Sequence, residues 1–302
     1  MSPTAIPGNL LLKNGIIITG TQRYQPAALL DQFPGAAAAY SLRNLVGTSN
    51  PAVIRVRRDN DDAEQDFTAT EVSDGTLAAW VGAGNNGFVR TWYDQSGNGN
   101  DAEQTTTATQ PAIVLSGSLV TQGSKPAIST SAVTDSYLSV TSGISASNYT
   151  ASIFIAAKSN VANYTSGAGS DRLANVSFDG TDNRFYFGTS RFPDPQQSIL
   201  SARYGSSLIV PYTSAATFGT SPFVFSSTAT ATYAFAHFNS QQCFSGSISP
   251  TNTGITNQTV SVCGSASNYW DGLYQEFILY QSDQSSNRIG IEADINAYYS
   301  IF

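Results

Sequence analysis

From residue 110 onward the chain is a succession of short β-branched and aromatic runs, separated by clusters of Ser, Thr, Gly and Asn. No helical period interrupts them until residue 285. Strands at this spacing, with no helices between them to carry parallel crossovers, are expected to form antiparallel sheets packed face to face. The expected strands are Ser152 to Ala157, Arg184 to Gly188, Ser206 to Val210, Pro222 to Ser226, Thr232 to Phe238, Gln242 to Ser247, Gln258 to Cys263 and Leu273 to Tyr280. After residue 285 the period changes. Ile291, Ile295 and Tyr298 recur at i, i+4 and i+7 behind a polar lead, which predicts a C-terminal helix against the sandwich.

The N-terminal part reads differently. Residues 1 to 27 hold one apolar run, Gly15 to Gly20, among Pro3, Pro7 and Pro26. They read as an arm with a single strand that docks on the domain or on a neighbour. Residues 28 to 302 read as one domain, a length that all-β sandwiches often reach without splitting. A strand is expected at Ala52 to Val56, and a short helix at Asp74 to Val81 with Asp74 as its cap.

Charge excludes one class of partner. The net charge is -7 and the only lysines are Lys13, Lys125 and Lys158, so no basic stripe is available to neutralise a phosphate backbone. Nucleic acid is not an expected partner. No apolar stretch approaches a membrane span, so no membrane insertion is expected either. The first twenty residues lack the basic region, apolar core and cleavage site of a Sec signal. Cys243 and Cys263 fit either a disulfide across a hairpin or two buried thiols on neighbouring strands, and the reading favours free thiols.

Several constellations admit both a chemical and a structural reading. In Tyr93-Asp94-Gln95-Ser96-Gly97-Asn98-Gly99-Asn100-Asp101, Asn-Gly supplies positive φ, and Asp94 and Ser96 can bond nearby amides. A rigid self-capped loop is favoured there over a calcium or sugar site, and no cofactor is expected. Asp59, Asp61, Asp62, Glu64 and Asp66 crowd behind Arg55, Arg57 and Arg58, and read as a solvated, mutually repelling loop. His237, the only histidine, alternates onto one strand face with Tyr233 and Phe235 and reads as a packed side chain. Trp80 and Trp92 read as core. Tyr269, Trp270 and Asp271 lie in a loop with partly exposed rings expected, which makes them the candidate ligand or partner contact.

Three runs carry a family resemblance: Ala38-Ala39-Tyr40-Ser41-Leu42-Arg43, Ile54-Arg55-Val56-Arg57-Arg58, and above all Trp92-Tyr93-Asp94-Gln95-Ser96-Gly97-Asn98-Gly99-Asn100. Together with Phe185-Tyr186-Phe187-Gly188 and the closing Gly272 to Tyr280, they resemble the catalytic domain of the α-L-arabinofuranosidase B family and its laminin-G-like relatives. The resemblance implies a concanavalin A-like, two-sheet antiparallel jelly-roll sandwich. The same opening and closing runs resemble domains of bacterial and tailed-phage surface proteins without known hydrolase activity, so the fold leaves function open.

Departures from the family pattern fall at its chemistry. A retaining glycosidase needs two facing carboxyl groups. Aligning Tyr186-Phe187-Gly188 with the family's run puts Asn183 where the family has its nucleophile, with Asp182 on the opposite face. Ser265 follows Cys263-Gly264 where the acid/base aspartate is expected, and Asp271 is the nearest substitute. Val176-Ser177 stand in place of the family's adjacent cysteines. The expectation is a non-catalytic virion surface protein of a tailed phage: a head decoration, fibre or tail component. It would contact other virion proteins or its own copies through the arm, and would adhere to cell-surface polysaccharide. A bacterial carbohydrate-binding module and an arabinofuranosidase-like hydrolase, the latter using Asp179, Asp182 or Asp271, are the alternatives.

Overall fold

A computed structural model of the chain describes residues 27–47, 49–131, 134–144, 150–160, 220–230, 232–247, 258–265 and 268–302. It also gives the backbone course of the segments 10–11, 17–18, 171–177, 184–190, 199–200, 202–204 and 207–209. The fold is an all-β antiparallel sandwich with few short helices. One sheet runs, in spatial order, through Gln241–Ser247, Tyr233–Phe238, Pro222–Ala229, Ala151–Ser159, Gly272–Tyr280 and Ala36–Ser41. The other runs through Arg184–Ser190, Asp171–Ser177, Gln258–Val262, Leu138–Ile144, Ala102–Glu103, Gly87–Trp92, Ala52–Arg58 and Glu64–Thr68. Ala112–Leu115 and Ile128–Thr130 join the two sheets, pairing with strand 87–92 on one side and strand 272–280 on the other. The expected strands from residue 152 onward are all present, with ends shifted by at most three residues.

Apolar residues run unbroken over 153–157 of strand 151–159 and 277–280 of strand 272–280 because both faces of this sheet are covered. Ile153, Ile155, Phe277 and Leu279 point into the space between the sheets, where Tyr40, Phe67 and Trp92 meet them. Phe154, Ala156, Ile278 and Tyr280 point outward, under Leu29, Leu30 and the C-terminal helix. That helix spans Arg288–Tyr299 and buries Ile291, Ile295 and Tyr299. Tyr299, not Tyr298, completes its apolar stripe, one step further than the sequence spacing indicates. Glu292 is also buried on this face, 1% exposed, and accepts from the hydroxyls of Ser226 and Ser240 and from the Arg288 guanidinium. A buried charge is tolerable only with such partners.

Two local expectations are corrected. Asp74 does not cap the helix as its first residue: it closes the preceding helix, Ala69–Ser73, with its amide on Thr70. Gly75, at φ +94°, occupies the cap of Thr76–Val81, while the Asp74 carboxylate accepts from the Thr76 amide at 2.9 Å. The aspartate thus serves the helix from one position further out. In the arm, Leu10–Leu11 pairs antiparallel with Ile17–Ile18, so its described residues form two short strands where the sequence reading has one. The Asn14-Gly15 step between them is a hairpin signal that the single-strand reading passes over.

Candidate functional site

The Trp92 to Asp101 run is built as a staple. Trp92 is fully buried, against Tyr40. The Asp94 carboxylate accepts from the amides of Ala39 (2.8 Å), Ser96 (2.9 Å) and Asn100 (3.0 Å) and from the Ser96 hydroxyl (2.7 Å). One oxygen pair therefore fixes both the loop and strand 36–41. Gln95, 6% exposed, accepts from the Leu45 amide at 2.8 Å and donates to the carbonyls of Ser41 and Arg43, both at 3.0 Å. The Tyr40 hydroxyl donates to the Asn100 carbonyl, and Asp101 accepts from the Asp94 amide. Gly97 and Gly99 sit at φ +87° and +72°, the left-handed turns that only glycine makes without strain. Asp94→Ala orphans four donors at a half-buried position. It is expected to cost about 2 kcal/mol, measured by denaturant unfolding, without altering the fold.

Beside the staple lies a cleft of about 540 Å³, lined by Gly35, Ala37, Asn98, Asn100, Ile144 and Ser282 among others. The Asn98 amide nitrogen donates to the Ala36 carbonyl at 2.9 Å, and that of Asn100 to the Ala37 carbonyl at 2.8 Å. Ser282 accepts from the Gln284 side chain at 2.8 Å. Among the described residues no ionisable side chain lines this space. Sequence reading weighs the run that holds Asn98 and Asn100 as a calcium or sugar site and sets that below a self-capped loop. The cleft forms from four separate stretches, and no local pattern marks it.

Of the expected contact residues, Trp270 does not present an exposed ring. Trp270 is 1% exposed and belongs to the main core, with its ring edge-on to Phe223 at 6.4 Å and to Tyr274 at 6.5 Å. The exposed-ring expectation fails for it because Gly272 leaves room: a β-carbon there would collide with the indole and with the Lys158 carbonyl. Asp271 is half-buried and accepts from the Asn160 side chain at 3.0 Å. Tyr269 pairs its backbone with Gly264, and its side chain lies outside the described residues. Asp179, Asp182 and Asn183 lie outside them as well, and Ser265 is described only as part of the short strand Gly264–Ser265.

The acidic run is not a repelling loop. Arg55 pairs with Asp66, Arg57 with Asp62 and Arg58 with Asp61, each at 2.7 Å, and Asp59 takes the Asn86 amide at 2.9 Å. Hydrogen bonds from Asn86, Arg58 and Arg55 hold Asp59, Asp61 and Asp66 below the ordinary carboxylate range. Among the described residues no group of three His, Cys, Asp or Glu is placed to hold a metal ion, and no helix is long and apolar enough to cross a membrane. Both cysteines are free thiols, as expected. Burial pushes Cys243 up to about 11 and raises Cys263 further from its thiolate form, which leaves both unreactive at neutral pH.

His237 packs as the alternation predicts, 5.6 Å from the Phe235 ring. Burial, and then the Arg288 guanidinium, hold its imidazole below the ordinary value of 6.5. The unfolded chain therefore takes up the proton first as pH falls, and stability is lost below about pH 6.5. Wild-type protein is expected to lose more stability between pH 7 and 5.5 than a His237→Gln variant, compared by thermal unfolding at both values.

The fold defines the chain as an all-β antiparallel sandwich. No family model and no curated protein matches it. Among solved structures it is similar to an arabinofuranosidase complexed with arabinofuranosyl-α-1,2-xylobiose, with a TM-score of 0.66 and 14% identity over 87% of this chain. A glycoside hydrolase family 54 α-L-arabinofuranosidase soaked with a cyclic sulfate inhibitor gives a TM-score of 0.65 at 13% identity, again over 87% of this chain. The chain spans 62% of the length of each. At these identities the likeness establishes the fold alone.

Proposed function

We propose that the protein is a non-catalytic, glycan-recognising sandwich of the concanavalin A-like kind, displayed on a surface. One observation carries this reading. The run most like the arabinofuranosidases, Trp92 to Asp101, is spent on holding strand 36–41, with Asp94 and Gln95 saturated by backbone partners. What is shared with the hydrolases is thus scaffold, while Asn183 and Ser265 stand where the resemblance puts the two catalytic carboxylates. A carboxamide and a hydroxyl cannot form a glycosyl ester or protonate a leaving group as a carboxylic acid does. Recognition of a sugar needs neither.

The finer reading places the domain on a tailed-phage virion, as a head decoration, fibre or tail component assembled in the host cytoplasm. It is supported by the arm, whose strands Leu10–Leu11 and Ile17–Ile18 pair only with each other among the described residues. A small hairpin of this kind gains stability by pairing with a neighbouring sheet edge. The experiment has two arms. Glycan-array binding and hydrolysis of an aryl α-L-arabinofuranoside are measured on the full chain, with binding and no turnover expected. Turnover abolished by Asp271→Asn would overturn the non-catalytic reading. Electron microscopy of the native assembly tests the virion placement, and removal of residues 1–27 is expected to abolish assembly while sparing the sandwich.

A further inference from the structure

Resting on the glycan reading, we infer that the cleft beside the staple is the sugar site and that it takes an uncharged sugar. Its two asparagines are oriented by their donor ends. Both amide nitrogens are committed to carbonyls of strand 36–41, that of Asn98 to Ala36 and that of Asn100 to Ala37. A carboxamide is planar, so fixing the nitrogen fixes the oxygen. Among the described residues neither side-chain oxygen accepts a hydrogen bond, and neither is a buried orphan, so both acceptors are available to a ligand.

The third polar group is complementary. Ser282 is exposed and already accepts from the Gln284 amide at 2.8 Å, which leaves its own hydroxyl hydrogen to donate. Ile144 supplies the apolar wall. Two fixed acceptors, one donor and an apolar side, with the Gln281 side chain beside them, match a ring that carries hydroxyl groups on one edge and C–H groups on its face. An anion is disfavoured because, among the described residues, no cationic side chain lines the cleft to compensate it, and the two fixed acceptors would face its charge. A divalent cation is disfavoured too, because no carboxylate among the described residues lines it. The volume of about 540 Å³ lies within the range of small-molecule sites. Preorganisation matters here: the staple has already immobilised the asparagines, so a ligand does not have to order them.

The test titrates the full chain with a panel of neutral pentose and hexose oligosaccharides and with oligogalacturonate as the anionic control. Wild type is compared with Ser282→Trp, which fills the cleft from an exposed position, and with Asn98→Ala, which removes one acceptor. Unfolding of each variant is followed in parallel. Neutral sugars are expected to bind, with affinity falling about tenfold or more in both variants while each still unfolds in one cooperative transition well above the assay temperature. Neutral-sugar binding that survives Ser282→Trp undiminished would overturn the cleft assignment and leave the glycan reading standing. Preference for oligogalacturonate, lost in Ser282→Trp, would overturn the uncharged-ligand assignment. Absence of binding across the panel and across a wider glycan array would overturn the glycan reading, and the cleft with it.

Discussion

Arg43→Ala is expected to destabilise the protein by about 3–5 kcal/mol, the cost of removing one partner from a buried ion pair. The Arg43 guanidinium bonds both oxygens of Glu276, at 2.8 and 3.0 Å, and pairs with Asp294 at 2.7 Å. Glu276 has no exposed surface, and it also accepts from Ser41 at 2.8 Å. Without the arginine a carboxylate is left in the interior, with two hydroxyls, those of Ser41 and Tyr299, near it. Tyr298 and Tyr299 would lose the cation over their rings, at 4.9 and 5.8 Å. The seam between strand 36–41, strand 272–280 and the C-terminal helix runs through this one side chain. Arg43→Lys should recover only part of the loss, because a point ammonium does not reproduce the bidentate fork. Exchanging both partners for apolar residues, as in Arg43→Met with Glu276→Leu, should recover more. Equilibrium denaturation of the three variants decides it. A cost under about 1 kcal/mol for Arg43→Ala would mean that water reaches the pair.

The second large effect concerns Trp270. Its indole is a core element, and Trp270→Ala is expected to cost about 3–5 kcal/mol by lost burial and the cavity left against Phe223 and Tyr274. A ligand-contact tryptophan behaves differently: its replacement lowers affinity and leaves the unfolding midpoint nearly unchanged. Measuring stability and glycan binding on the same variant separates the two roles. Unchanged stability would return Trp270 to the surface.

The same two residues show where local sequence stops being informative. Strand positions were legible because a half-buried or buried strand imposes a pattern on adjacent residues: β-branched and aromatic runs, then turn residues, repeated along the chain. The C-terminal helix was legible for the same reason, with Ile291 and Ile295 marking its buried stripe. Turn chemistry in Asp94 to Asp101 could likewise be read from residue types, and Asp94 does bond the amides of Ser96 and Asn100. All of these are relations between residues a few positions apart.

What the fold alone decided are relations across the chain. Trp270 lies in a sequence loop, yet Gly272 and a phenylalanine some fifty positions earlier determine its burial. The acid-rich run is neutralised because Arg55 faces Asp66 across a hairpin while Arg57 and Arg58 reach Asp62 and Asp61 in its turn, a pairing that composition registers only as cancellation. The cleft joins residues near positions 36, 99, 144 and 282. Its asparagines look like turn residues in sequence and acquire a direction only where strand 36–41 supplies the carbonyls that hold them. Sequence determines which segments are strands because period and propensity are local. Which side chains meet, and which acceptors stay open, depends on register and on sheet packing, which exist only once the strands are assembled.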